Sequence, residues 1–292
     1  MSTTDPIPRM FAALVDDAAI FPPGDAPVPY AVRAHALHRS AWYADLVGTF
    51  VCSDRRLPEL QRALDDQDGA EQLALSLTIT GGAGAIEPAL TWVQRDGRLA
   101  LRGVEVALRD EADLAHNARR VTTVLATALP DGVDAFVEPP RLYGTGATAG
   151  WTAALDEVAA SGHQLKVRTG GLDPAAFPSE RELAVVINAA LDRELEFKCT
   201  AGLHHAVRHT ADTTGFEHHG FLNVLLATRV ALDGAAVDDV EHTLGERDGA
   251  VLAAAVRDLD ADRLASARRW FRSYGSCSID EPLADLTALD LV

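Results

Sequence analysis

The stretches QLKVRTGG at residues 164–171 and EFKCTAGL at residues 196–203 share one pattern. Each is a short apolar run that carries a lysine and ends in hydroxyl or small residues with a glycine. Such runs are typical of buried strands that end in a turn. Residues 180–192, between them, have a helical pattern. The segment therefore predicts a strand, a helix and a second strand, which is the repeating unit of a parallel sheet.

The same alternation extends through the chain. Strands are predicted within 11–24, over 46–52, 73–80, 101–108, 134–140, 164–168 and 195–200, and near 272–278. Helices are predicted over 30–40, 53–66, 86–94, 111–128, 148–161 and 180–192. We therefore predict an α/β fold in which residues 1–292 form a single (β/α)8 TIM-type barrel, with a helical insertion over about 216–270 between strands 7 and 8. An open doubly wound sheet is the alternative, disfavoured because no G-x-G-x-x-G motif follows the first strand.

The composition narrows the classes of function. The net charge of −17 argues against nucleic acid or an anionic membrane as a partner. No apolar run reaches the roughly 18 residues of a membrane span, and the start MSTTDPIPRM lacks the features of a signal peptide. Three scattered cysteines do not form a disulfide framework. We expect a cytoplasmic protein with a small-molecule substrate, and a homo-oligomer is compatible with the sequence.

Lys166 and Lys198 are the only lysines, because the other 24 of the 26 basic residues are arginines. Arginine stays charged, whereas a buried lysine can lose its proton and act as a base or nucleophile. Because both lysines lie within apolar strands, desolvation is expected to lower their pKa values. The alternative is a structural lysine that reaches out from a strand end or pairs with a carboxylate inside the barrel.

Residues at the carboxyl ends of barrel strands usually form the active site. Polar residues in or after the predicted strands are Glu105, Glu138, Lys166, Arg168, Lys198, Thr200 and His204. Side chains two apart on a strand share a face, so Lys166 and Arg168 point the same way, as do Lys198 and Thr200. We expect them inside the barrel, with Glu105 and Glu138 as counter-ions. Asp16 and Asp17 follow the first apolar run, and a cap or turn bond is favoured for them over a place in the site.

The turn after strand 6 offers an anion-binding element. Arg168 is followed by Thr169, Gly170 and Gly171. A guanidinium can bind a carboxylate or phosphate through two parallel hydrogen bonds, and backbone N–H groups of a glycine turn can add to it. Ordinary strand-to-helix geometry is an equally good explanation of the glycines.

The motifs K-x-x-T-G-G and K-x-T-A-G, whose lysines are 32 residues apart, resemble the paired-lysine arrangement of the deoxyribose-phosphate aldolases, which are class I aldolases on barrels. The resemblance covers about 45 of the 292 residues. It implies that Lys166 is the Schiff-base lysine and that Lys198 lowers its pKa. The segments IFPPG and HGFLN also resemble those of a group of bacterial proteins.

Five of the ten histidines fall between His204 and His219. His205 and His209 are four apart, which on a helix is a spacing that a divalent metal ion can bridge, with Glu105 and Glu138 as further ligands. No glutamate lies between the two histidines, so the zinc-protease signature is absent. His204 or His205 can also serve as an acid–base group, and Asn223 in the segment HGFLN can hydrogen-bond a substrate.

Three hypotheses follow from the sequence. The first is an aldolase-like lyase that forms a Schiff base with a small, anionic carbonyl compound and needs no cofactor. In it Lys166 or Lys198 is the nucleophile, Glu138 and His204 carry protons, and Arg168 holds the anionic group, with Thr169, Gly170, Thr200, Glu105 and Asn223 around the substrate. The second is a divalent-metal-dependent isomerase, lyase or hydrolase that uses His205 and His209. The third is a non-catalytic small-molecule binding protein.

Overall fold

Eight parallel strands close into a barrel, each followed by at least one helix. A computed structural model describes residues 7–65, 71–109, 112–144 and 146–292. The barrel strands are β1 (Val15–Asp17), β2 (Val47–Ser53), β3 (Leu73–Ile79), β4 (Leu99–Ala107), β5 (Asp134–Glu138), β6 (Gln164–Arg168), β7 (Phe197–Thr200) and β10 (Phe271–Ser276). Their order around the barrel is β1-β10-β7-β6-β5-β4-β3-β2. This confirms the predicted (β/α)8 barrel.

Helices cover the outside of the barrel. The helices between successive strands are α1 (Val28–Ser40), α2 (Leu57–Asp65), α3 (Ala83–Gln94), α4 (Leu114–Ala128), α5 (Ala149–Ala160) and α6 (Glu180–Leu191). The predicted ends Asp66 and Glu111 lie outside the described residues. Helix α6 begins where the sequence directs, because Ser179 and Glu182 form a reciprocal capping box.

The extra segment between β7 and the last barrel strand is largely helical, as predicted. It opens with a short antiparallel hairpin, β8 (His209–Thr210) and β9 (Glu217–His218). Four helices follow, α7 (Phe221–Leu232), α8 (Val237–Gly245), α9 (Gly249–Asp258) and α10 (Ala261–Trp270), and α11 (Asp280–Ala288) comes after β10. The first eight residues of α7 are all buried, because this helix packs against the barrel and against the neighbouring helices.

The strand pairing sets which side chains meet inside the barrel. Lys166 on β6 is directly opposite Lys198 on β7, and Arg168 is opposite Thr200. Glu105 on β4 pairs with Thr78 on β3. The register shifts by one residue within three strand pairs, β1–β2, β3–β4 and β10–β7.

Within the part of the chain that the structure describes, no helix is both long enough and apolar enough to cross a membrane.

Candidate active site

Both lysines point into the barrel, as the alternation of side chains predicts. Lys166 is 4% exposed and Lys198 is 2% exposed. Their apolar neighbours Leu165, Phe197 and Cys199 are fully buried and belong to the core. The strand phase places each ammonium inside the barrel, because successive side chains of a strand alternate between its two faces.

Six charged side chains form an alternating chain of ion pairs, which we call the ion chain. The Nζ of Lys198 lies 2.8 Å from Asp16 Oδ2 and 2.7 Å from Glu105 Oε1. The Nζ of Lys166 lies 2.8 Å from Glu105 Oε2 and 3.1 Å from Glu138 Oε2. Arg168 Nε donates to Glu138 Oε1 at 2.7 Å. The members in order are Asp16, Lys198, Glu105, Lys166, Glu138 and Arg168. Three carboxylates therefore balance three cations.

Hydroxyl groups fix the carboxylates of the ion chain. Glu105 accepts hydrogen bonds from Ser76 Oγ at 2.8 Å and Thr78 Oγ1 at 3.3 Å. Asp16 accepts from the Thr49 backbone N–H and hydroxyl, both at 2.8 Å, and from Ser273 Oγ at 2.6 Å. Buried carboxylates need such partners, because an unpaired buried charge is costly. Neighbouring strands thus hold both carboxylates in place.

The expectation of lowered lysine pKa values is wrong. Burial acts to lower the pKa of Lys198, but the attraction of Asp16 and Glu105 is stronger and raises this pKa above its usual value. Burial likewise opposes the charge of Lys166, and Glu105 and Glu138 raise its pKa. Each buried ammonium contacts two carboxylates, and their attraction outweighs the cost of desolvation. Both lysines are therefore ammonium ions at neutral pH.

Four members of the ion chain, Glu105, Lys166, Arg168 and Lys198, line a cavity of about 290 Å3, which we call the upper cavity. The lining comes from the carboxyl ends of the strands and the loops that follow them, where barrel enzymes place their active sites. Its polar lining includes Glu105, Lys166, Arg168, Lys198, Thr200 and His204. Glu138 is not among the lining residues, but it is ion-paired with two of them, Lys166 and Arg168. These seven residues are the ones that the sequence placed at strand ends.

The predicted anion-binding turn is only partly realised. Arg168 lines the upper cavity with a half-exposed side chain, and its terminal nitrogens bond to no described residue. Thr169 is fully buried and its hydroxyl donates to Thr200 O and Ala201 O. A Cβ on Gly170 would lie 2.8 Å from Gly202 Cα. Thr169 and Gly170 therefore join the two lysine-bearing turns, and their part in substrate binding stays a prediction.

His204 lines the upper cavity beside a cysteine. Its Nδ1 lies 3.2 Å from Glu281 Oε2 and 3.6 Å from Cys277 Sγ. Burial lowers the pKa of His204, despite the opposing attraction of Glu281, so the ring is neutral near pH 7. Burial also raises the pKa of the Cys277 thiol to about 11. The pair therefore consists of a neutral imidazole and a thiol, and His204 is able to accept a proton.

His205 and His209 are not on a helix. His205 lies in a loop with Nδ1 3.1 Å from Asp285 Oδ2, and His209 lies on β8 with Nδ1 bonded to Val207 O. Both oxygens of Glu105 are bonded to lysines. Among the residues that the structure describes, no three histidine, cysteine or acidic side chains are grouped to hold a metal ion. The prediction that a helix brings His205 and His209 together as metal ligands is therefore wrong. The two rings nevertheless pack edge to face, with 4.6 Å between their centroids.

Asn223 joins parts of the chain by hydrogen bonds, and its contact with a substrate stays a prediction. Its side chain is fully buried at the start of α7. Its Oδ1 accepts from Arg208 N, and its Nδ2 donates to Thr243 O and Glu246 O. Every polar atom of the amide is thus used to join the loop after β7 to the end of α8.

Asp16 is the member of the site that the sequence analysis missed. The cap or turn bond that the sequence favours holds for Asp17, which accepts a hydrogen bond from Ala19 N and is bonded to His35. Asp16 has the opposite strand phase and is bonded to Lys198. Strand alternation, applied to β1 as it was to β6 and β7, would have indicated that one of the two aspartates faces the barrel interior.

No protein-family model matches the chain, and no curated protein matches it significantly.

Proposed function

We propose that the protein is an enzyme that acts on a small anionic carbonyl compound through a Schiff base on Lys166. One observation carries the proposal: the ammonium of Lys166 is buried, lines the upper cavity, and lies between Glu105 and Glu138. Lys198 lines the same cavity but is also held by Asp16, which is not among the described residues lining it. The resemblance of the lysine motifs to the class I aldolases favours the same choice.

The raised pKa of Lys166 is compatible with this chemistry. Attack on a carbonyl carbon needs the neutral amine, so one proton must first move from Nζ to a carboxylate, and Glu138 Oε2 at 3.1 Å is in reach. Loss of water from the resulting carbinolamine gives an iminium ion. Ammonium plus carbonyl therefore becomes iminium plus water, with no change in charge. Because the iminium is also a cation, Glu105 and Glu138 stabilise it as they stabilise the ammonium.

Two further side chains have roles in the proposal. The free guanidinium edge of Arg168 lies at the cavity and can bind a carboxylate or phosphate of the substrate. His204, neutral and at the cavity, can take up and return a proton during bond cleavage. The substrate must be small, because the cavity measures about 290 Å3.

Reductive trapping tests the proposal. The protein is incubated with aldehydes and ketones, with and without a carboxylate or phosphate group, in the presence of cyanoborohydride, and the modified peptide is identified by mass. We expect an adduct on Lys166 for at least one anionic carbonyl compound. Lys166→Arg should give no adduct on the remaining lysine, Lys198. Lys198→Arg shows whether the adduct on Lys166 forms without the neighbouring lysine. The double variant measures labelling of the N-terminal amine alone.

The outcomes separate the parts of the proposal. An adduct on Lys198 alone would overturn the assignment of the nucleophile. The absence of any adduct on either lysine across the panel would overturn Schiff-base chemistry. Arg168→Gln should raise the concentration for half-maximal trapping of anionic compounds by about tenfold and leave neutral ones unchanged.

A further inference from the structure

A second cavity, of about 330 Å3, lies at the opposite, amino-terminal end of the barrel. We call it the lower cavity. Its lining comes from the beginnings of strands, including Gly48 on β2, Arg102 on β4 and Asp134 on β5. Asp16 and Lys198 line it from above, so the ion chain separates the two cavities.

Three β-bulges open the lower cavity. On β4, Leu101 pairs with Leu75 and Gly103 with Ser76, which leaves Arg102 as the extra residue. The slips in β2 and β10 fall between Val47 and Phe50 and between Phe271 and Tyr274. Each slip includes residues that line the lower cavity. Bulges turn a side chain away from the regular pleat and are frequent at barrel rims and beside functional sites.

The charge of the lining is opposite to that of the protein. The chain carries a net charge of −17. The lower cavity is nevertheless lined by four cations, Arg102, Arg268, Arg272 and Lys198, and by two carboxylates, Asp16 and Asp134. Asp16 pairs with Lys198, and Arg272 pairs with Asp134 and with Glu196, which is not among the lining residues. Arg102 and Arg268 have no carboxylate partner among the described residues.

Arg268 is a largely buried guanidinium that is held by carbonyl groups. It donates to Phe271 O, Arg272 O and Ala12 O, and within the described ranges it has no carboxylate partner. Its Nε is buried without a hydrogen-bond partner. Burial, together with the charge of Arg272, lowers the pKa of Arg268 to about 10. A buried charge without a counter-ion is unfavourable, and an anion in the adjoining cavity would relieve it.

We propose that the lower cavity is a binding site for a small anion with a phosphate or carboxylate group, held by Arg102 and Arg268. Arg102 is exposed and makes no hydrogen bond or ion pair with any residue in the described part of the chain, so its guanidinium is available. The site is separate from the upper cavity and does not depend on Schiff-base chemistry. Its ligand lies against Asp16 and Lys198, at the far end of the ion chain.

Calorimetric titration with inorganic phosphate and with malonate, at constant ionic strength set with chloride, tests the site. The two probes distinguish a phosphate from a dicarboxylate preference. We expect saturable binding of at least one probe and an affinity at least tenfold lower in Arg102→Gln. Arg33→Gln, on the exposed face of α1, removes the same charge elsewhere and should bind as the wild type does.

Arg168→Gln separates the two cavities. Binding that survives in Arg168→Gln and is lost in Arg102→Gln supports the lower site. The inference is overturned if neither probe binds saturably, if Arg102→Gln binds like the wild type, or if Arg168→Gln alone removes binding. Circular dichroism confirms that each variant is folded. Arg268 is left unchanged because its hydrogen bonds join α10, β10 and the chain before β1.

Discussion

Replacing Glu105 by glutamine removes one charge from the middle of the ion chain and keeps the shape of the side chain. Glu105 is 2% exposed and bonds both lysines, at 2.7 and 2.8 Å. The wild-type ion chain has three carboxylates and three cations, so the variant carries one uncompensated positive charge. Lys166 keeps Glu138 and Lys198 keeps Asp16.

The loss of stability in Glu105→Gln should be large for a single substitution. Breaking a buried ion pair by removing one partner costs about 3–5 kcal/mol, since the other charge remains buried. For a chain of this size, 1 kcal/mol corresponds to about 2–4 °C in Tm. We therefore expect Glu105→Gln to lower the Tm on the order of 10 °C. Ser76→Ala is the matched control, because it removes one hydrogen bond to Glu105 without a change of charge and should cost about 1 kcal/mol.

The same substitution should lower the pKa of both lysines, because burial remains while one of the two attractive charges is gone. A lysine whose pKa is higher in the folded than in the unfolded protein stabilises the fold at pH values below its unfolded-state pKa of about 10.4. This stabilisation is lost as the pH rises through the pKa of the folded state. In Glu105→Gln, this loss of stability at alkaline pH should begin at a lower pH than in the wild type.

Limiting acylation of the native protein provides the assay. Only Lys166, Lys198 and the N-terminus can react at amines, so peptide masses resolve every site. We expect both lysines to be unreactive near pH 8 in the wild type and in Ser76→Ala, and to react in Glu105→Gln well below its Tm. A Glu105→Gln protein with the wild-type Tm and two unreactive lysines would refute the reasoning.

Three further predictions use single contacts of the site and its surroundings. Glu138→Gln should lower the pKa of Lys166 and leave that of Lys198 unchanged, since Glu138 bonds only the first, and site-resolved acylation measures both. Burial and the Arg208 charge lower the pKa of His219 to about 3. The stability that the neutral ring contributes above pH ~6.5 should therefore fall as the pH drops toward 3. In His219→Gln this part of the pH dependence of the unfolding free energy should be absent, as measured by urea unfolding at several pH values. Asn223→Ala should cost about 3 kcal/mol in urea unfolding and leave lysine reactivity unchanged, because it removes the partner of three buried or partly buried backbone groups.

Each of these predictions can fail separately. Equal changes at both lysines in Glu138→Gln would mean that the ion chain responds as one unit. A His219→Gln variant that keeps the wild-type acid slope would place the titrating group elsewhere. A lysine that becomes reactive in Asn223→Ala would show that α7 controls the site.

The sequence alone determined the barrel and the inward direction of the lysines. Both follow from local periodicity, because a strand alternates its faces every residue and a βαβ unit repeats along the chain. Glu105 and Glu138 were expected as counter-ions from their charge and their places on predicted strands, and both pair with lysines. These conclusions need no knowledge of which distant segments meet.

Only the tertiary structure decided the partner of Lys198 and the protonation of both lysines. Asp16 lies 182 residues before Lys198, and the two come together because closure of the barrel places β10 between β1 and β7. The pKa of a buried amine is the balance of desolvation against every nearby charge, so its direction depends on contacts across the barrel. The lower cavity has the same origin, because a β-bulge is a mismatch between two strands and exists only once they are paired.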